Sequence, residues 1–226
     1  MKASAELAKL ILQRKIKAVF VTGTDTHIGK TFVTAQLIQR LQELGLSVAA
    51  LKPVACGHCG RADAVLYWKL ANKKIPLGTI NPYWFRKPLA PIAQKSKPDI
   101  SIAKIRGLFQ KLRKQCDIVL VESAGGLLTP LTWSMSVRDL TESLRLPLVV
   151  VARAGLGTLN HTILTFEAAR QGGLKVAAVV LNDYDGKNAE AAQGNQRVLR
   201  KLLKVPVLIE PYRSGTSPRN PQKRSP

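Results

Sequence analysis

One short stretch constrains this chain more than any other. Residues 17–31 read Lys-Ala-Val-Phe-Val-Thr-Gly-Thr-Asp-Thr-His-Ile-Gly-Lys-Thr: an apolar run reaches Thr22-Gly23, five residues follow, and Gly29-Lys30-Thr31 opens a segment of helical periodicity. The loop is one residue longer than the commonest phosphate-loop spacing. Its physics survives the insertion. A strand that feeds a glycine-bearing loop into a helix N-terminus aims several backbone N–H groups at one spot, where the helix dipole also favours an anion. Lys30 supplies a positive charge for the β- and γ-phosphates, and Thr31 a hydroxyl for Mg²⁺. A bare Gly-Lys-Thr also arises by chance, as a helix start with a solvated lysine. The strand before it and the amphipathic helix after it favour nucleotide binding.

Around that loop, strands and helices alternate. The pattern predicts an α/β fold with a single domain, a mostly parallel sheet flanked by helices and right-handed crossovers, of P-loop NTPase type. A length of 226 residues suits one such domain. Strands are expected at 17–22, Ser47–Val54, Asp117–Val121, Pro147–Ala152, Lys175–Leu181 and Val207–Ile209. Helices are expected at 30–43, Ala64–Asn72, from a Ser101 cap to Gln115, at 159–171 and at 188–203. Residues 1–16 read as an amphipathic N-terminal extension, 17–212 as the domain, and 213–226 as a disordered basic tail. The stretch Lys73–Pro98 carries five of the thirteen prolines and no periodicity, which marks a lid, a binding loop or an interface. Its aromatic cluster, Tyr83-Trp84-Phe85, serves equally well as a simple hydrophobic anchor.

The net charge of +21 raises two readings, a polyanion binder or an enzyme for anionic ligands with a basic surface. Aromatics make up 5% of the chain and do not interleave with the basic clusters, which argues against a nucleic-acid partner. No apolar run approaches the ~20 residues of a membrane span, and no secretory signal is evident, so a cytoplasmic protein is expected. Three cysteines make no disulfide framework. Cys56-Gly57-His58-Cys59 imitates a redox dithiol but lacks its usual context, and reads as two ordinary thiols in a glycine-rich loop.

With only fourteen acids in the chain, their positions are informative. Asp25, Asp63, Glu122 and Asp183 fall at predicted strand ends or in loops, where an open parallel sheet gathers ligands. Asp-Ile-Val-Leu-Val-Glu122 is an apolar strand delivering a carboxylate, a common device for holding Mg²⁺ near a phosphate loop. With Thr31 and Asp63 it offers three hard oxygen ligands. Asp63 is alternatively a plain helix cap. Lys52 ends a strand beside the loop. A lysine there is costly to bury unless it faces an anion, so it is expected to meet a phosphoryl group or a substrate carboxylate; the other reading is a surface lysine at a frayed strand.

Several linked blocks resemble the dethiobiotin synthetase family, in order, over residues 17–210. They are Phe20–Thr31, Lys52-Pro53-Val54-Ala55-Cys56-Gly57, Asn81-Pro82-Tyr83, Val119–Gly126, Leu159-Asn160-His161 and Asn182-Asp183. The resemblance implies a homodimeric enzyme that converts 7,8-diaminononanoate, CO₂ and MgATP to dethiobiotin, ADP and phosphate. It implies Mg²⁺ ligation by Thr31, Asp63 and Glu122, with Lys30 and Lys52 as the catalytic cations. ATP contacts are implied for His27, Ile28, Gly29, Lys30, Thr31, Phe32, Asp63, Glu122, Ser123, Ala124, Gly125, Asn182 and Asp183, with Asn182 reading the adenine. Substrate contacts are implied for Cys56, Gly157 and Asn160, the last two across the dimer.

The sequence departs from the family pattern at four places. His27 replaces an acid, Cys56 a serine and Ser123 a glycine, and the segment after Val207 lacks a glycine expected near the adenine. Rival readings are a partitioning-type P-loop ATPase that binds DNA or membrane, another amidoligase of the same ATP-binding fold, and a basic scaffold without catalysis. The first is expected to carry a lysine early in the loop, where Thr24 and Asp25 stand.

Overall fold

The computed structural model describes residues 3–94 and 100–212, the side chains of residues 58–60 excepted. The proposed basic tail, 213–226, lies outside the described residues. Six parallel strands form the central sheet: β1 (Ala18–Gly23), β2 (Val48–Leu51), β5 (Ile118–Gly126), β8 (Leu148–Arg153), β9 (Val176–Asn182) and β10 (Val207–Glu210). Their order is β10-β9-β8-β1-β5-β2. The inner strands are near-continuous Val, Leu and Ala runs because both faces are covered by helices. The order reverses about β1, and the crevice outside its carboxyl end is where such sheets bind ligands.

Strand β1 runs into the Gly23–Gly29 loop and then helix α2 (Lys30–Glu43), which buries Val33, Leu37, Ile38 and Leu41. The N-terminal segment forms helix α1 (Ala3–Gln13). It lays Leu7, Ala8 and Ile11 against α2 and β10 and so joins the main core. Helix α5 (Ile102–Gln115) is capped as its sequence predicts, with Ser101 Oγ accepting from the Lys104 N–H at 3.2 Å. Helices α7 (Thr158–Gln171) and α8 (Ala189–Leu203) complete the layers. No helix among the described residues is long and apolar enough to cross a membrane.

The structure corrects two predicted elements near the site. Ser47–Val54 is not one strand. Strand β2 stops at Leu51, and β3 (Val54–Cys56) pairs in parallel with β4 (Tyr83–Phe85) in a separate two-stranded sheet. Pro53 has no N–H to offer a ladder. The Lys52 N–H turns instead to Ile80 O, at 2.7 Å, and Asn81 Nδ2 donates to Lys52 O at 2.8 Å. The second correction concerns helix α3, which spans Gly57–Leu70 rather than beginning at Ala64. Cys56 is its N-cap, so Asp63 stands in the second turn and is not a cap.

The aperiodic stretch also contains a short helix α4 (Leu77–Ile80) and a 3₁₀ turn at Pro91–Ala93. Its aromatics anchor it: Phe85 is buried, Trp84 Nε1 donates to Gly57 O at 3.0 Å, and the Tyr83 hydroxyl accepts from the Ser101 N–H at 2.9 Å. After β5 the chain makes a small antiparallel pair, β6 (Pro130–Thr132) with β7 (Met135–Ser136), and then helix α6 (Val137–Leu144). None of these three was predicted, although Ser136 and Asp139 form a reciprocal capping box at the start of α6.

Candidate active site

The loop after β1 holds its shape through three contacts. Thr24 N–H donates to Val151 O at 3.0 Å, Lys30 Nζ to Asp25 O at 2.7 Å, and Asn182 Nδ2 to Ile28 O at 2.9 Å. Gly29, the N-cap of α2, has φ +88°, a conformation that favours glycine. Arg153, at the end of β8, pairs with Asp25 at 3.1 Å and ties the outer half of the loop to the sheet. His27 is exposed on the loop, with φ +54°.

Beside the loop lies a buried polar cluster whose members come from four elements. Register brings two of them together: Leu51 of β2 pairs with Val121 of β5, so Lys52 stands level with Glu122, and level neighbours project to the same face. Asp63 and Tyr67 are four residues apart on α3 and therefore share one helix face. Thr31 is the second residue of α2. Lys52 Nζ donates to Glu122 Oε1 and, at 3.1 Å, to Asp63 Oδ2. The Thr31 hydroxyl donates to Glu122 Oε1 at 2.9 Å, and the Tyr67 hydroxyl donates to Glu122 Oε2. Glu122 is 0% exposed and Lys52 4%.

These neighbours set the protonation states. Burial drives Glu122 upward, but the Lys52 ammonium and the hydrogen bonds from Lys52 and Tyr67 outweigh it and hold the carboxyl below its ordinary value. Burial pulls Lys52 down, and the charges of Glu122 and Asp63 more than reverse it. Asp63 is pushed up by burial against the pull of Lys52. Lys30 falls to about 8, through burial and then through the nearby Lys52 charge. The predicted Thr31, Asp63, Glu122, Lys30 and Lys52 are thus assembled at one place.

Two carboxylates and a hydroxyl, all hard oxygen donors, suit a magnesium ion that keeps phosphate oxygens and water in its remaining positions. The Lys52 ammonium bridging both acids shows that a positive charge is stable between them. Among the described residues no three His, Cys, Asp or Glu side chains form a metal cluster. Two carboxylates and one hydroxyl leave room in the coordination sphere for phosphate oxygens and water, which fits a substrate-bound ion.

Other predicted residues lie around this centre. Asn182, buried at the end of β9, braces the phosphate loop. Asp183 accepts from the Asn188 N–H at 3.3 Å and does not hydrogen-bond the loop. The Ser123 side chain is buried: its hydroxyl donates to Gly125 O at 3.0 Å and lies 3.2 Å from Thr22 Oγ1, linking β5 to β1. Ala124 and Gly125 continue β5. Phe32 packs against the core behind the loop. Cys56 is a free thiol, raised to about 11 by burial, at the start of α3. Gly157 and Asn160 sit exposed at the N-terminus of α7, apart from the hydrogen-bond network of the cluster. Tyr67 was not anticipated. Its signal was the spacing of four from Asp63, which an apolar-face reading assigns to core.

A cavity of about 360 Å³ opens on the other side of the loop, between residues 24–26, residues 126–129 and the Leu164 and Thr165 side of α7.

A parallel sheet with a glycine-lysine-threonine loop at its reversal point, and acids converging on that threonine, defines a P-loop nucleotide-binding protein. Solved structures share this fold. The signal recognition particle receptor FtsY from Elizabethkingia anophelis, in complex with GDP, superposes with a TM-score of 0.60 at 16% identity, over 90% of this chain and 63% of that one. The MinC:MinD cell division protein complex of Aquifex aeolicus gives 0.56 at 14% identity, over 88% and 82%.

Sequence relatives narrow the class. A family profile described as an AAA domain matches residues 17–217. The ATP-dependent dethiobiotin synthetase BioD of Anaeromyxobacter dehalogenans is 43% identical over 202 residues, 87% of this chain and 91% of the relative. The protein of the same name from Endomicrobium trichonymphae is 33% identical over 198 residues, 85% and 91%. The chain belongs to the ATP-dependent dethiobiotin synthetase family, ligases of biotin biosynthesis. Helix α1 lies ahead of the matched region.

Proposed function

We propose that this chain closes a ureido ring on 7,8-diaminononanoate with CO₂, at the expense of ATP and with Mg²⁺, as a cytoplasmic homodimer. The observation that carries the reading is the buried Lys52, held by two acids directly beside the threonine of the phosphate loop. One amine of the diamine adds to CO₂ and loses a proton, giving a carbamate. The carbamate oxygen takes the γ-phosphoryl group and releases ADP. The second amine then attacks the carbamoyl carbon, expels phosphate, loses a proton and closes the ring.

No step needs a protein nucleophile; positioning and charge compensation suffice. The backbone N–H groups of residues 27–32 cradle the phosphates, and Lys30 leaves Asp25 O to neutralise their charge. Lys52 faces the charge that builds on the carbamate and the transferring phosphoryl group. Thr31, Asp63 and Glu122 would hold Mg²⁺, which would offset the negative charge of the phosphates. Asn182 keeps its Nδ2 on Ile28 O and offers Oδ1 to the adenine amine. The cavity beyond Thr24 and Thr26 takes the diamine, and the exposed N-terminus of α7 takes its carboxylate from the other subunit. Leu156, at 99% exposure, with Leu128 and Leu164 at the cavity rim, supports burial of this side in a dimer.

The test is ADP and phosphate release by the purified protein. Turnover is expected only when diamine, bicarbonate, Mg²⁺ and ATP are all present, with one ADP per ureido product. An ATPase that ignores the diamine and responds to DNA would contradict the reading.

A further inference from the structure

The residue of the cluster that the proposed chemistry leaves without a task is Tyr67. Its ring is among the largest fully buried side chains of the protein, and its hydroxyl donates to Glu122. The two oxygens of Glu122 have different neighbours. Oε2 takes Tyr67, on the interior side; Oε1 takes Thr31 and Lys52, on the side of the phosphate loop. A glutamate has three rotatable bonds, and a hydrogen bond from a fully buried phenol stops the last of them from turning. Helix α3 therefore supplies one acid of the cluster, Asp63, and, one turn further on, the strut that orients the other.

We propose that Tyr67 is a positioning residue: it anchors Glu122 Oε2 in the interior so that only Oε1 is presented beside Thr31 and Asp63. Glu122 would then offer a bound divalent ion a single oxygen, beside those of Thr31 and Asp63. This inference rests on the cation reading above. Groups that orient a metal-binding carboxylate without touching the metal change metal affinity when they are removed, typically by roughly 10–100-fold. Phenylalanine at this position keeps the ring and removes the anchor. It leaves Oε2 buried without its donor and frees the carboxylate to turn.

The experiment measures Mn²⁺ affinity, from the signal of free Mn²⁺ in electron paramagnetic resonance, for the ADP-bound wild type, Tyr67→Phe and Asp63→Asn. ADP affinity without metal and thermal unfolding are measured in parallel. Tyr67→Phe is expected to weaken Mn²⁺ binding by about tenfold or more and to leave metal-free ADP affinity unchanged. Unchanged Mn²⁺ affinity in a folded Tyr67→Phe, whatever its unfolding temperature, means that the hydroxyl does not position Glu122, and that result overturns the inference alone. Wild type that binds Mn²⁺ no better than Asp63→Asn overturns the cation reading and this inference with it. Tyr67→Met, a flexible filler without a hydroxyl, gives the same comparison if the Phe variant folds poorly.

Discussion

Asn182 closes on Gly29 so tightly that a β-carbon built on the glycine would lie 2.0 Å from Asn182 Nδ2. The end of β9 thus holds the phosphate loop at its tightest point, through the same amide that donates to Ile28 O. Gly29→Ala adds backbone strain of ~1–3 kcal/mol at a positive φ and displaces that amide. ADP affinity is expected to fall by roughly 100-fold, measured by calorimetric titration. Asn182→Ala in the same chain relieves the collision but also removes the brace on Ile28 O and the proposed adenine contact, and so is not expected to restore affinity.

Lys52 is expected to serve the transition state more than nucleotide binding. Lys52→Gln is predicted to lower single-turnover ADP formation by about 10²–10³-fold, with metal-free ADP affinity little changed. The same substitution removes the ammonium from a Glu122 that is 0% exposed, and a broken buried pair costs about 3–5 kcal/mol. Urea unfolding at neutral pH reads that second effect separately.

Lys30 gives nucleotide binding a pH dependence. In the free protein its proton leaves as pH rises through about 8, whereas a bound triphosphate favours the charged form. Affinity is therefore expected to fall above about pH 8, by at most about tenfold per pH unit. Titrations across that range check it, and Lys30→Arg, which stays charged, is expected to flatten the profile. For stability the sign is opposite. The unfolded chain keeps this proton to higher pH, so the contribution of Lys30 to folding improves as pH rises from about 8 toward the ordinary lysine value.

Helix α1 is expected to matter for stability and not for chemistry. Leu7 and Ile11 are fully buried against the core, and truncating such a leucine costs about 2–5 kcal/mol. Leu7→Ala is predicted to lower the unfolding free energy by that amount, read from the shift of the urea midpoint, with turnover at low temperature unchanged.

The sheet was legible in the sequence because its inner strands are Val, Leu and Ala runs that end in polar residues, as at Glu122 and Asn182. Lys52 stood out for the same reason, as a lysine where an apolar strand ends. The break at Pro53 was harder to read. Pro53 is the local sign, but the groups that take up the Lys52 backbone, the Ile80 carbonyl and the Asn81 amide, lie far along the chain. Helix α3 begins at a Cys-Gly pair that resembles a loop, so Asp63 seemed closer to a cap than it is. Tyr67 reads as one more apolar-face residue until Glu122, fifty-five positions away, is known to lie against its hydroxyl.

The proposed reaction has one cation shared by Thr31, Asp63 and Glu122 beside the bound phosphates. Anomalous diffraction at the manganese edge, from crystals of the Mn²⁺–nucleotide complex, locates that cation. A single strong peak is expected within about 2–2.5 Å of oxygens from Thr31, Asp63 and Glu122 and of a phosphate oxygen. A peak held by phosphates alone, with Asp63 and Glu122 both more than about 5 Å away, contradicts it.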